Sequence, residues 1–258
     1  MLLSEILNAM ESIAPRELAL EFDNPGLIVG TEKRQIDRVL VALDCTLAAV
    51  DEAERHGCGL VITHHPLLMH AVRRIAPDDP VTAPVYKLIS KGIGMFAAHT
   101  NLDSAEGGVN TALCRLLGIE NESPVPPEGL CRVGELAQPV LFSEFAKRVE
   151  TALETVVRTA GPERMVRRVM VCGGSGGAEY PLAAACGAEV LVTGECKHNQ
   201  AIEAVCADVN VIAAGHYETE HVVLIPLIDK LKKLCPGVEF ILSEEGSPLL
   251  PLNMREPD

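Results

Sequence analysis

Apolar residues recur at Leu2, Leu3, Ile6, Leu7, Met10 and Ile13, the spacing of an amphipathic helix, and Pro15 closes that pattern. Short β-branched runs then alternate with helical stretches. Arg38–Leu43 is followed by Asp44, Leu60–Thr63 by His64-His65-Pro66, and Gly94–Ala98 by His99-Thr-Asn-Leu-Asp103. Further on, Arg168–Cys172 leads into Gly173-Gly-Ser-Gly-Gly177, Val190–Thr193 into Gly194-Glu195-Cys-Lys197-His198, and Val209–Ala213 into Gly215-His216. Such unbroken apolar runs suit strands buried on both faces of a mostly parallel sheet covered by helices. Polar residues gather directly after each run, where open α/β sheets place their ligand sites.

The expected fold class is therefore α/β: two related three-layer units with mostly parallel or mixed sheets. Ser123-Pro-Val-Pro-Pro-Glu-Gly129 reads as the linker. This places a first unit at residues 1–125 and a second at residues 126–258, with the option that one half passes a strand or helix to the other. Near the end, Pro226 interrupts an apolar stretch and predicts a kink or a second helix start.

Composition narrows the choices. The 258 residues carry a net charge of −14 and include no Trp, with aromatics at 3%. That surface repels phosphate backbones and offers few rings for stacking bases, which argues against bulk nucleic-acid or anionic-membrane binding. Nine cysteines without a C-x-x-C pair predict buried reduced thiols rather than a disulfide frame. There is no secretory-signal layout and no apolar run long enough for a membrane helix, so a cytoplasmic location is expected.

The candidate chemistry lies in histidines and carboxylates. At an irregular strand end His64 and His65 can turn toward one site. Asp103 ends a similar strand-to-loop passage, and His216 and Glu220, four apart, share one face of a helix. Three imidazoles and two carboxylates suit Zn, Mn or Fe better than Ca or Mg. Two such ions roughly 3.5–4 Å apart can share a bridging water and provide hydroxide for hydrolysis. From spacing alone the bland reading stays open: an H-x-x-x-E pair also serves helix capping or an ion pair.

These motifs, in this order, resemble the GTP cyclohydrolase I type 2 homologue family, also described as Nif-three-like dinuclear metal-centre proteins. The resemblance runs through Ile13-Ala-Pro15, Leu18-Ala19, Phe22-Asp-Asn-Pro-Gly-Leu27, Val41-Ala-Leu-Asp44, Thr63-His-His-Pro66, His99–Asp103, Thr193-Gly-Glu195 and Gly215–Glu220. It implies two divalent metal ions per chain on His64, His65, Asp103, His216 and Glu220, in a ring-shaped homohexamer. The family commonly has Trp at the position of Phe22, a change expected to be confined to packing. Many members have a histidine at the position of Asn199, where here the neighbouring His198 is the imidazole.

Secondary candidates follow. His99 is expected to shuttle a proton or contact substrate, against the alternative that it orders its own loop. The Gly173–Gly177 segment fits a tight strand-to-helix turn better than a phosphate cradle, since it matches neither a Walker loop nor a dinucleotide fingerprint. Glu195 and Lys197 read either as a pocket acid and a phosphate contact or as a helix-start carboxylate and a solvated lysine. His56, His70 and His221 are set aside. The expected function is a metal-dependent hydrolase acting through a metal-bridging hydroxide on a small nucleotide-like substrate. The rival is a metal-binding regulatory or scaffold protein working through protein partners.

Overall fold

The computed structural model describes residues 1–249. In chain order the elements begin with α1 (Leu3–Ile13), β1 (Gly26–Val29), β2 (Arg38–Ala42), α2 (Leu47–Arg55), β3 (Leu60–Thr63), α3 (Ala83–Lys91), β4 (Gly94–Ala97) and α4 (Thr100–Ser104). Next come α5 (Val109–Leu117), β5 (Ile119–Pro124), β6 (Arg132–Leu141), α6 (Phe142–Ala152), β7 (Arg158–Ala160), β8 (Met165–Cys172), α7 (Tyr180–Ala185), β9 (Val190–Thr193), α8 (His198–Cys206), β10 (Asn210–Ala213) and α9 (His216–His221). The last two are α10 (Leu224–Leu234) and β11 (Glu239–Leu242).

The chain divides into two units. The first joins Met1–Gly108 to Leu224–Glu245, and the second is built on Val109–Val223. The division therefore falls after Gly108 and not after residue 125, and the first unit takes back a helix and a strand near the end of the chain. The Pro-rich segment read as a linker is instead a hairpin inside the second unit, with Ser123 opposite Val133 and Pro124 opposite Arg132. Proline served here as turn residue and strand end, two roles that local sequence does not separate from a linker.

In the first unit the sheet runs β1-β4-β3-β2-β11. β2, β3, β4 and β11 are mutually parallel, and β1 pairs antiparallel with β4 at one edge. All residues of β3 and β4 are buried, which explains their unbroken apolar sequence. Leu40, Val61 and Met95 pack with Ala49, Val50 and Leu88 of the covering helices, and each fully buried aliphatic side chain contributes about 1.5–3 kcal/mol. The helix ends are signalled locally. Thr46 caps α2 by accepting from the Ala49 amide at 3.0 Å, and Gly92 stops α3 in the left-handed region with φ 64°.

The second unit's sheet runs β5-β6-β8-β9-β10-β7. Only β8, β9 and β10 are parallel; the outer pairings are antiparallel. One side of its core is built on Phe145, Val149, Val169 and Ile212, the other on Met170, Leu191 and Ala204. Both units thus contain the same kernel, three adjacent parallel strands joined by helices. Pro226 lies in the first turn of α10, where a missing N–H breaks no helical bond. It marks a second helix start, and α9 ends before it. Among the described residues, no helix is long and apolar enough to cross a membrane.

Candidate metal centre

In each kernel the polar residues follow the carboxyl ends of the three parallel strands. In the first unit Ala42, Thr63 and Ala97 stand side by side in register. Two residues beyond them come Asp44, His65 and His99. In the second unit Cys172, Thr193 and Ala213 are level, and Ser175, Glu195 and His216 follow within three residues. The repeated sequence grammar becomes a repeated placement.

In the first unit the rings of His64 and His65 have centroids 4.9 Å apart, and His99 lies 5.3 Å from His64 and 5.6 Å from His65. One nitrogen from each of the three can lie within 4.8 Å of the others. Asp103 sits one turn along from His99, its amide bonded to the His99 carbonyl at 3.0 Å, and its Oδ1 is 3.6 Å from His64 Nε2. His64 and Asp103 are both buried.

The supports of these rings decide their chemistry. His64 Nδ1 donates to the Ala98 carbonyl at 2.9 Å, His65 Nδ1 to Asp44 at 2.8 Å, and His99 Nδ1 to Asp23 at 2.8 Å. Each partner is purely an acceptor, so Nδ1 carries the proton and Nε2 the lone pair. Histidines that ligate metals are held in this way.

Each residue of the motif around His99 has its own structural task. Asp23 also accepts from the Thr100 amide at 3.0 Å and its hydroxyl at 2.5 Å, standing in for a cap on α4. Burial alone would raise its pKa, but the hydrogen bonds from His99 and Thr100 outweigh that and hold the carboxyl well below the usual range. Asn101 donates to the Ala14 carbonyl at 2.7 Å, and Leu102 is core. Phe22 was expected to matter only for packing; its surface is 64% exposed, while the other four phenylalanines are buried. Packing therefore does not explain it, because the turn Leu20–Asp23 carries the ring outward.

In the second unit His216 and Glu220 share one face of α9, with Nε2 and Oε2 3.1 Å apart. Glu220 is buried. Gly174, at φ +60°, lets the backbone pass against this pair: a Cβ there would collide with Glu220 Oε1 and lie 3.1 Å from His216 Nε2. Thr219 fixes the loop to the helix, accepting from the Gly174 amide at 3.0 Å and donating to the Gly215 carbonyl at 2.9 Å. The Gly173 and Gly177 amides bond to Asn110 and to the Glu195 carbonyl. Three amides of the glycine run are thus committed internally, as the strand-to-helix turn reading requires.

Glu195 Oε1 lies 3.2 Å from His216 Nδ1, and its other oxygen accepts from Ser175 at 2.6 Å. The Ser175 hydrogen bond is the largest influence holding the Glu195 pKa below its ordinary value; burial opposes it. Lys197 and His198 are exposed at the start of α8. Sequence reasoning missed Asp23 and Asp44 as ring supports, although both stand in the stretches that carry the family resemblance and Asp44 directly follows an apolar run.

The Duf34/NIF3 (NGG1p interacting factor 3) family matches residues 1–248. The chain belongs to that family. A GTP cyclohydrolase 1 type 2 homolog of Clostridium perfringens is 35% identical over 255 residues, covering 95% of this chain and 97% of that one. Among solved structures, reduced HcgD from Methanocaldococcus jannaschii is 29% identical with a TM-score of 0.84, covering 95% of this chain and 98% of its own. A Bacillus cereus protein related to NIF3 reaches a TM-score of 0.90 at 23% identity over 98% and 99% of the two chains, which shows the shared fold. Among the described residues of this Duf34/NIF3 chain, groups of His, Asp and Glu lie close enough together to hold a metal ion.

Proposed function

We propose that His64, His65, Asp103, His216 and Glu220 serve as the ligands of a two-metal centre, and that the chain is a metal-dependent hydrolase of a small nucleotide-like substrate. The observation that supports this reading is that each of the three imidazoles meets an acceptor at Nδ1, which favours Nε2 as the nitrogen offered to a metal. Two bound Zn, Mn or Fe ions would supply Lewis acidity and acidify water toward neutrality. His64 and His65 are neutral lone-pair donors, while Asp103 and Glu220 supply the negative charge. His99, oriented by Asp23, is the proton-transfer group. The nucleotide-like substrate comes from the name borne by relatives such as the Clostridium perfringens protein, an argument by likeness. Assembly into a homohexameric ring belongs to the same proposal and is read from the solution mass.

The test is hydrolysis of a panel of nucleotides and phosphoesters by protein loaded with Zn, Mn or Fe. His99→Gln should lower turnover by about 10²–10⁴-fold with metal retained; Asp103→Ala should lose metal and turnover together. Unchanged turnover in metal-free protein would contradict the hydrolase reading.

A second reading draws on the burial of His64, Asp103 and Glu220, 1%, 7% and 4% exposed. A closed shell favours structural ions, and the chain would then be a regulatory or scaffold protein. Melting with and without chelator separates the two: a large loss of stability marks structural ions, and little change marks an exchangeable catalytic centre.

A further inference from the structure

We propose that Glu195, braced by Ser175, is the positioning residue that holds His216 with its Nε2 as the ligating nitrogen. The consequence for metal rests on the two-metal reading above; the hold on the ring does not.

His216 needs such a hold more than the other imidazoles. Its side chain is 34% exposed, against 0% for His64 and 23% for His65. It opens a helix of six residues whose N-cap, Gly215, has no side chain to pin the first turn. His64 by contrast leans on a backbone carbonyl inside the core. The Glu195 carboxylate lies 3.2 Å from His216 Nδ1.

Glu195 is itself 56% exposed on its side chain, and a glutamate at the surface samples several rotamers. Two features restrain it. Its backbone is locked to the glycine-rich loop, the amide donating to the Gly174 carbonyl at 2.8 Å and the carbonyl accepting from the Gly177 amide at 3.0 Å. Its free oxygen accepts the Ser175 hydroxyl at 2.6 Å. The loop carrying Ser175 is tightly seated: a Cβ at Gly176 would stand 2.6 Å from the Cys172 sulfur, and one at Gly177 would stand 2.7 Å from Cys196 Cα. Support passes from the packed loop through Ser175 and Glu195 to the imidazole. The glycine run thereby has a task that phosphate binding would not give it, and Glu195 is neither a bare helix-start carboxylate nor a group aimed at substrate.

The test uses full-length protein labelled with ¹⁵N-histidine, freed of metal, at a pH where the imidazoles are neutral. Long-range ¹H–¹⁵N correlation reads the tautomer of His216. Wild type should hold a substantial share of Nδ1–H against the competing Glu220 carboxylate, whose Oε2 lies 3.1 Å from Nε2. Glu195→Ala should shift the ring toward Nε2–H, Glu195→Gln should restore much of the wild-type state because its amide oxygen still accepts, and Ser175→Ala should fall between. A wild-type tautomer in Glu195→Ala overturns the assignment. Cobalt titration followed by absorption then reads the consequence. Glu195→Ala should weaken one of two equivalents by about 10–100-fold, and two unweakened equivalents would overturn the metal consequence. Wild type that takes up no cobalt while the tautomer still responds to Glu195 would sink the two-metal reading and leave the positioning role standing.

Discussion

Asp23 and His99, 76 positions apart in sequence, are joined by a 2.8 Å hydrogen bond from the ring Nδ1 to the carboxylate. The same carboxylate takes the Thr100 amide and hydroxyl, so it anchors both the ring and the start of α4. Asp23→Asn keeps the shape but loses the charge, and should cost about 1–3 kcal/mol at neutral pH in urea unfolding. The sign of the pH dependence follows from the depressed pKa of Asp23. Its contribution is complete above the unfolded carboxylate value of about 3.9 and is lost as pH falls through the lower folded value. The gap between wild type and variant should therefore narrow only below about pH 4. A gap unchanged into strong acid would show that the charge contributes nothing.

Gly174 and Gly187 both lie in the left-handed region, at φ +60° and +70°. A Cβ at Gly187 meets nothing within 4 Å, whereas one at Gly174 runs into Glu220 and His216. Gly187→Ala should cost only the backbone penalty, about 1–2 kcal/mol. Gly174→Ala should cost more and also displace the His216–Glu220 pair, so that metal content falls in that variant alone. Equal stability loss and equal metal content would contradict this account of the glycine run.

The thiols should react in two groups. Burial pushes Cys45 and Cys114 up to about 12, with the charges of Glu245 and Asp44 adding to the effect at Cys45 and that of Glu122 at Cys114. Cys206 is exposed, and Cys186 and Cys196 are half-buried. The expectation of uniformly buried thiols holds for the other six. In native protein at mildly alkaline pH a thiol reagent should label Cys206 first, and Cys45 and Cys114 only on unfolding. Cys206→Ser should remove the fast phase.

Phe22 and Phe145 provide a contrast in the same residue type. Phe145 is 0% exposed and Phe22 is 64% exposed. Phe145→Ala should cost about 3–5 kcal/mol, and Phe22→Ala no more than about 0.5 kcal/mol, both read by denaturant midpoints. A loss at Phe22 matching that at Phe145 would restore the packing role.

Much of this was legible in sequence. β3 and β9 begin and end where the sequence runs do; burial on both faces selects apolar residues, and the closing Thr63 and Thr193 are admitted because their hydroxyls donate to the carbonyls of His65 and Gly174. Spacing alone puts His216 and Glu220 on one helical face, and of the kink or second helix start that Pro226 predicts, the structure has the second. What was not legible depends on distant partners. β11 pairs with β2 across the length of the chain, Glu239 opposite Arg38, and nothing local to either strand records it. The second unit's antiparallel edges are likewise fixed by pairing, which turned an apparent linker into a hairpin. Asp23 and Asp44 carry no motif spacing to their histidines; only the fold reveals that they tie down Nδ1.

The proposed two-metal centre on His64, His65, Asp103, His216 and Glu220 stands or falls on its ions. Its most direct test is metal content per chain of protein purified without added metal, for wild type and Glu220→Ala. Near two equivalents are expected in wild type, with a sharp fall in the variant. Wild type that stays below stoichiometry after reconstitution with Zn, Mn and Fe would contradict it.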